Sequence, residues 1–150
     1  MKNLIDRPER STEVPERIVS LLSQKMRSWY SFIRIRIEEA GLSGLDISHG
    51  DILYQLYTHG AMPMSVLAQR IKKDKSTVTA LVKKMESRKL IKRVPDKDDA
   101  RVAIVELTSI GESYRDAFAK ISHDLLERIY RNLTDKEKCK LMELLAKCGE

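Results

Sequence analysis

Residues 70–101, RIKKDKSTVTALVKKMESRKLIKRVPDKDDAR, carry twelve Lys and Arg against five Asp and Glu, a surplus of seven in a chain whose net charge is +6. The other 118 residues therefore sum to about −1. Cationic charge gathered on so short a stretch is the footprint of a surface that binds a polyanion. Ser76, Thr77 and Thr79 are small and hydroxylic, which lets a backbone approach base edges and phosphates closely. Lys75, Lys83 and Lys84 neutralise phosphate charge and gain affinity by releasing counterions. Lys97 and Arg101 lie in PDKDDAR, a stretch of turn chemistry. Cations at such a tip suit a narrow minor groove, where negative potential is concentrated. The chemistry expected is recognition of double-stranded DNA, with no covalent step.

Those residues need a helix and a hairpin to present them. Asp74 suits an N-cap, and Val78, Leu81, Val82 and Met85 follow at i, i+3, i+4 and i+7, the buried face of a helix over 74–88. Ser76, Ala80, Lys83 and Ser87 then point outward, with Thr77, Thr79 and Lys84 on the flanks. Upstream, Ser48 and Asp51 resemble a capping box opening a short helix that stops at Gly60. Pro63 and Ser65 open a second one, which together with the helix over 74–88 reads as a helix-turn-helix, within a winged helix-turn-helix over 48–107. Leu90, Ile91 and Val94, then Val102 to Val105 and Leu107, are β-prone runs on either side of the charged turn and predict a two-stranded wing over 90–107.

The flanks are helical. Ile18, Leu22, Met26, Trp29, Ile33 and Ile37 form one stripe over 14–40, with Pro15 in its first turn and Gly41 and Gly44 at its end. A helix of about 26 residues is ~39 Å long, more than a small domain needs for its own core, so the stripe implies a partner. Thr108 or Ser109 caps a further helix through Tyr114, Phe118, Ile121, Leu125 and Ile129. Thr134 with Glu137 is a capping box for a last one carrying Leu141, Leu144 and Leu145. The fold class expected is mainly α, a winged helix-turn-helix joined to N- and C-terminal helices in a single domain.

Composition excludes several other classes. With 150 residues, 42% apolar and 33% charged, the chain reads as a globular domain with one core. No apolar run approaches the roughly 18–20 residues of a membrane span, and MKNLIDRPERSTEVPER is polar where a signal peptide is apolar. A cytoplasmic protein with no membrane partner is expected. Cys139 and Cys148, nine residues apart, project from opposite sides of a common helix and do not bridge each other within one chain. His49, His59 and His123 keep no metal spacing, and no phosphate-cradling glycine loop or nucleophile motif occurs. Neither enzyme activity, metal nor cofactor is expected.

At these residues the chain resembles the MarR family of bacterial transcription regulators, over roughly residues 15–147. LAQRIKKDKSTVTALVKKMESRKLIKR (67–93) matches the family's helix-turn-helix, and DKDDARVAIVELT (96–108) its wing. Asp99 and Arg101 fall on the family's Asp-x-Arg motif. The resemblance implies that Arg101 contacts the minor groove and that Asp99 steadies the wing through a basic partner. It also implies a homodimer held by helices over 14–41 and 108–148, with 48–107 as the DNA-binding part, on a pseudopalindromic operator. The regulator it implies is a repressor released by a small anionic or phenolic effector, bound where the dimerisation helices meet the DNA-binding lobe. Trp29, Arg34, His49 and Tyr57 are the candidate contacts there. Three positions depart from the family pattern: Ala80 where Arg is frequent, Lys89 where Gly commonly ends the recognition helix, and Lys72 where the turn is often small. The alternative function is a winged-helix module for protein interaction or RNA binding.

Overall fold

A computed structural model describes residues 17–148. Helix α1 (Ile18–Glu39) closes in a Schellman motif: Gly41 adopts φ +77, its N–H donates to the Glu38 carbonyl at 3.0 Å, and the Leu42 N–H donates to the Ile37 carbonyl at 3.0 Å. The expected start at residues 14–16, with Pro15, lies outside the described residues. Helix α2 (Ile47–His59) is capped by Asp46 rather than by Ser48. The Asp46 carboxylate accepts from the Ser48 and His49 N–H groups at 2.9 and 3.3 Å, and the Asp46 N–H donates to His49 Nδ1 at 3.1 Å. His49 thus takes the role that Glu or Gln plays in an ordinary capping box. That substitution puts the cap two residues upstream of the expected Ser48.

Strand β1 (Met62–Pro63) leads into α3 (Met64–Arg70), the first helix of the helix-turn-helix, and α4 (Lys75–Ser87) is the second. The wing is β2 (Ile91–Pro95) and β3 (Ala103–Leu107), antiparallel, with Arg93 opposite Val105. The sheet has three strands in the order β1-β3-β2, one more than expected, because Met62 pairs with Val105 on the other edge of β3. Two residues are too few to show a period of two, and Pro63 tolerates only an edge.

The helix expected from Thr108 is divided at Tyr114 into α5 (Ser109–Ser113) and α6 (Arg115–Tyr130). Helix α7 (Asp135–Lys147) begins at the expected capping box, Thr134 with Glu137. The core gathers under the sheet and helix-turn-helix: Ile52, Leu53 and Leu56 of α2, Leu67 of α3, Val78, Val82 and Met85 of α4, Ile91 of β2 and Val105 of β3. Met62, Leu90 and, in the α1–α2 connection, Leu42 and Leu45 complete it; the last two carry no periodic signal in the sequence. By contrast α1, α6 and α7 contain no fully buried residue. Ile18, Leu22 and Met26 of the α1 stripe are 48%, 43% and 39% exposed.

Helices α3 and α4 also end in Schellman motifs, but lysines occupy the left-handed position: Lys72 at φ +52 and Lys89 at φ +58. The Leu90 N–H still reaches the Met85 carbonyl at 3.1 Å, so the chain accepts the strain to keep the sharp exit into β2. Lys89→Gly is expected to raise unfolding free energy by roughly 0.5–1 kcal/mol, because glycine removes the Cβ penalty while adding some entropy to the unfolded chain. Urea titration checks it; an unchanged or lower midpoint would show that Lys89 bears no net strain.

Candidate nucleic-acid interface

Helix α4 buries Val78, Val82 and Met85 completely, and that fixes its outer face. Lys75, Ser76, Thr79, Ala80, Lys83, Lys84 and Ser87 are all exposed, as the periodicity predicts, while Thr77 is half-buried on the flank. The N-cap is dense. Asp74 accepts from the Thr77 N–H at 2.9 Å and from the hydroxyls of Ser76 and Thr77 at 2.5 and 2.6 Å. These hydroxyl bonds, more than any charge, hold the Asp74 carboxyl far below its ordinary range, so it stays ionised. Thr79 donates to the Lys75 carbonyl at 2.7 Å. All three hydroxyl protons are therefore used within the helix, and the groups offer outward lone pairs, suited to accepting from base amino groups rather than to donating to phosphate.

The wing is ordered by its own aspartates. Asp96 Oδ1 accepts from the Asp98 and Asp99 N–H groups, at 2.9 and 3.1 Å, and the Asp96 N–H donates to the Val102 carbonyl at 2.9 Å. Arg101 is 90% exposed at the tip. Its Nε and Nη2 donate to the two oxygens of Asp99, at 2.9 and 3.0 Å, a fork that lowers the carboxyl and raises the guanidinium. The basic partner expected for Asp99 is thus Arg101 itself. Lys97 is exposed beside it.

Ion pairing sorts the basic segment. Among the described residues, Lys92 pairs with Glu106, Arg93 with Glu86 and Arg101 with Asp99. The other nine of the twelve cations in 70–101 make no ion pair there, and they include Lys75, Lys83, Lys84 and Lys97. The outward lysines therefore have no carboxylate within ion-pair distance among the described residues, whereas both sheet cations, Lys92 and Arg93, are held within the sheet or against α4.

Two adjoining cavities lie between α1 and α2, the first also walled by α6. One, of about 220 Å³, is walled by apolar side chains including Ile33, Ile37, Leu53, Phe118 and Leu125. The other, of about 460 Å³, shares Ile33, Ile37, Asp46 and Asp51 with it and adds Tyr30, Arg34 and Lys73. Of the four candidate effector contacts only Arg34 lines either of them. Trp29 is half-buried along α1. Tyr57 is turned into packing: its hydroxyl donates to the Gly111 carbonyl at 2.7 Å, its ring meets Phe118 at 5.4 Å, and the Arg115 guanidinium lies 4.7 Å above it. Burial, with Glu112 nearby and against the pull of Arg115, pushes that phenol up to about 12. His49 is 2% exposed, behind the α2 cap. Burial pushes its imidazole down, outweighing Asp46, and Lys84 and Arg88 add to that push. Its Nε2 has no hydrogen-bond partner. Periodicity could not separate these roles, since all four lie on helix faces that are partly covered.

Cys139 and Cys148 are exposed and unbridged, and no group of three or more His, Cys, Asp or Glu among the described residues is placed to hold a metal ion. No helix among those residues is long and apolar enough to cross a membrane.

Comparison with known proteins agrees with this arrangement. The family model that matches, described as the MarR family, covers residues 45–103. The chain is 26% identical over 137 residues to the uncharacterized HTH-type transcriptional regulator YkoM of Bacillus subtilis, 91% of this chain and 89% of YkoM. It is 30% identical over 95 residues to the HTH-type transcriptional repressor NicR of Pseudomonas putida, 63% of this chain and 60% of NicR. Among solved structures, a mutant MarR from E. coli complexed with operator DNA shares the fold with a TM-score of 0.76 at 18% identity, covering 93% of this chain and 98% of that one.

Proposed function

Because this chain belongs to the MarR family of transcriptional regulators, we propose that it is a cytoplasmic homodimer that binds a pseudopalindromic double-stranded operator and represses transcription until a small molecule releases it. The observation that carries the reading is the outer face of α4. Its lysines are exposed and unpaired among the described residues, and its small side chains leave room for base edges. In this reading α4 enters the major groove, Lys75, Lys83 and Lys84 engage phosphates, and Ser76, Thr77 and Thr79 stand closest to the bases. Lys97 and Arg101 reach the flanking minor groove after Arg101 exchanges Asp99 for DNA.

The dimer is supported by the uncovered apolar side chains of α1 and α7, where Ile18, Leu22, Leu144 and Leu145 are each more than two-fifths exposed. A second copy is the economical cover, since an operator read twice needs two recognition helices about one helical turn, ~34 Å, apart. Release by an effector is supported by the paired cavities: an apolar chamber takes a ring or chain, and Arg34 and Lys73 at the polar one suit an anionic or phenolic head. NicR is named a repressor, which favours repression here.

Selection of bound duplexes from a random pool tests the reading. Two inverted half-sites with centres about 10 base pairs apart are expected. Steeply salt-dependent binding with no preferred duplex would favour a general nucleic-acid or RNA-binding module instead.

A further inference from the structure

Glu86 lies near the C-terminal end of the recognition helix, and three atoms of Arg93 donate to it. The Arg93 backbone N–H and Nε donate to Oε1 at 3.1 and 3.0 Å, and Nη2 donates to Oε2 at 2.7 Å. The carboxylate is 24% and the guanidinium 39% exposed, so the fork is partly shielded from solvent. Arg93 is the middle residue of β2 and faces Val105 of β3. Between helix and strand the chain passes through the strained left-handed turn at Lys89. A bidentate side-chain fork added to a backbone bond fixes rotation as well as distance, which a single contact does not. The two fastenings together hold the hairpin at one angle to α4. One rung nearer α4, Lys92 and Glu106 tie β2 to β3 at 2.9 Å, and beyond Arg93 the ladder continues through Val94 and Pro95 to the Asp96 N–H on the Val102 carbonyl, so the hairpin moves as one piece out to Arg101.

We propose that Glu86 is a positioning residue for DNA recognition: its clip on Arg93 sets the reach of the wing, so that Arg101 meets the minor groove when α4 is seated in the major groove. The proposal rests on the operator-binding reading and deepens it. Arg93 is thereby withdrawn from phosphate contact, and Glu86 places a negative charge close to the interface. On electrostatics alone, removing that charge strengthens binding. Positioning predicts the opposite sign, which separates the two.

The test is a double-mutant cycle on affinity for a selected duplex, using Glu86→Ala and Arg101→Ala, with hydroxyl-radical footprints and melting curves of each protein. Expected are about tenfold weaker binding for each single variant, and a double variant no weaker than the worse single one. Glu86→Ala should lose protection of the flanking minor groove while keeping the central major-groove contacts. Glu86→Gln, which keeps an acceptor for the Arg93 N–H groups, should recover part of both. Unchanged or tighter binding by Glu86→Ala, or an Arg101→Ala effect of the same size in both backgrounds, overturns the clip and leaves the regulator reading standing. Failure of the unaltered protein to prefer any duplex removes both.

Discussion

Gly111→Ala is expected to destabilise the protein by at least ~3 kcal/mol and to lower its melting temperature by about 6–12 °C, although alanine favours helices. Gly111 is buried in α5, and a Cβ there would stand 1.9 Å from the Leu90 carbonyl oxygen and 2.9 Å from its carbon. That oxygen belongs to backbone and is held in turn. It accepts from the Thr108 N–H at 3.0 Å and from the Thr108 hydroxyl at 3.2 Å. On the other side, Gly111 donates its N–H to Thr108 Oγ1 at 3.0 Å and accepts from the Tyr57 hydroxyl at 2.7 Å. Neither chain can retreat by the ångström or more that a methyl group requires without breaking the junction between wing, α2 and α5. Helix propensity contributes about 1 kcal/mol in the opposite direction and loses. Thermal melting of the variant checks this, and a melting temperature within 2 °C of the parent would show that the junction yields.

Lys83→Ala with Lys84→Ala is expected to leave the fold intact and to weaken duplex binding by about 100-fold or more at ~0.15 M salt. Both lysines are exposed on α4 and pair with no carboxylate among the described residues, so truncation breaks no ion pair. In a dimer the pair occurs twice. Four lost phosphate contacts flatten the slope of log affinity against log salt by ~3–4, and the gap from the parent narrows as salt rises. The preference for a selected duplex over an unrelated one should hardly change, since phosphate contacts orient without reading bases. Titrations at several salt concentrations decide it. A parallel shift with unchanged slope would move these lysines off the phosphate backbone.

The basic segment was legible because charge and periodicity coincide in it. Val78, Val82 and Met85 had to point inward once they recurred at helical spacing, and that alone aimed Lys83 outward. The wing was legible because its turn is rich in aspartate and flanked by β-branched residues. Asp46 was not, because a cap that uses His49 carries no familiar signature. Leu42 and Leu45 were not, because two leucines in a connection have no period. The effector candidates fared worst: Trp29, His49 and Tyr57 share helix faces with core residues, and only side-chain direction separates packing from cavity lining.

By itself the sequence determined the order of the main helices, the helix-turn-helix with its wing, and the cationic character of its outer face. Local patterns carry these, since propensity, capping and charge act within a few residues of one another. Tertiary structure decided which cations remain available, that Arg101 is held by Asp99 and Arg93 by Glu86, that β1 joins the sheet, and that Gly111 tolerates no side chain. Apart from the Asp99–Arg101 fork, each of these joins residues separated in the chain. All of them depend on distances of a few ångströms, and composition and spacing carry no record of such distances.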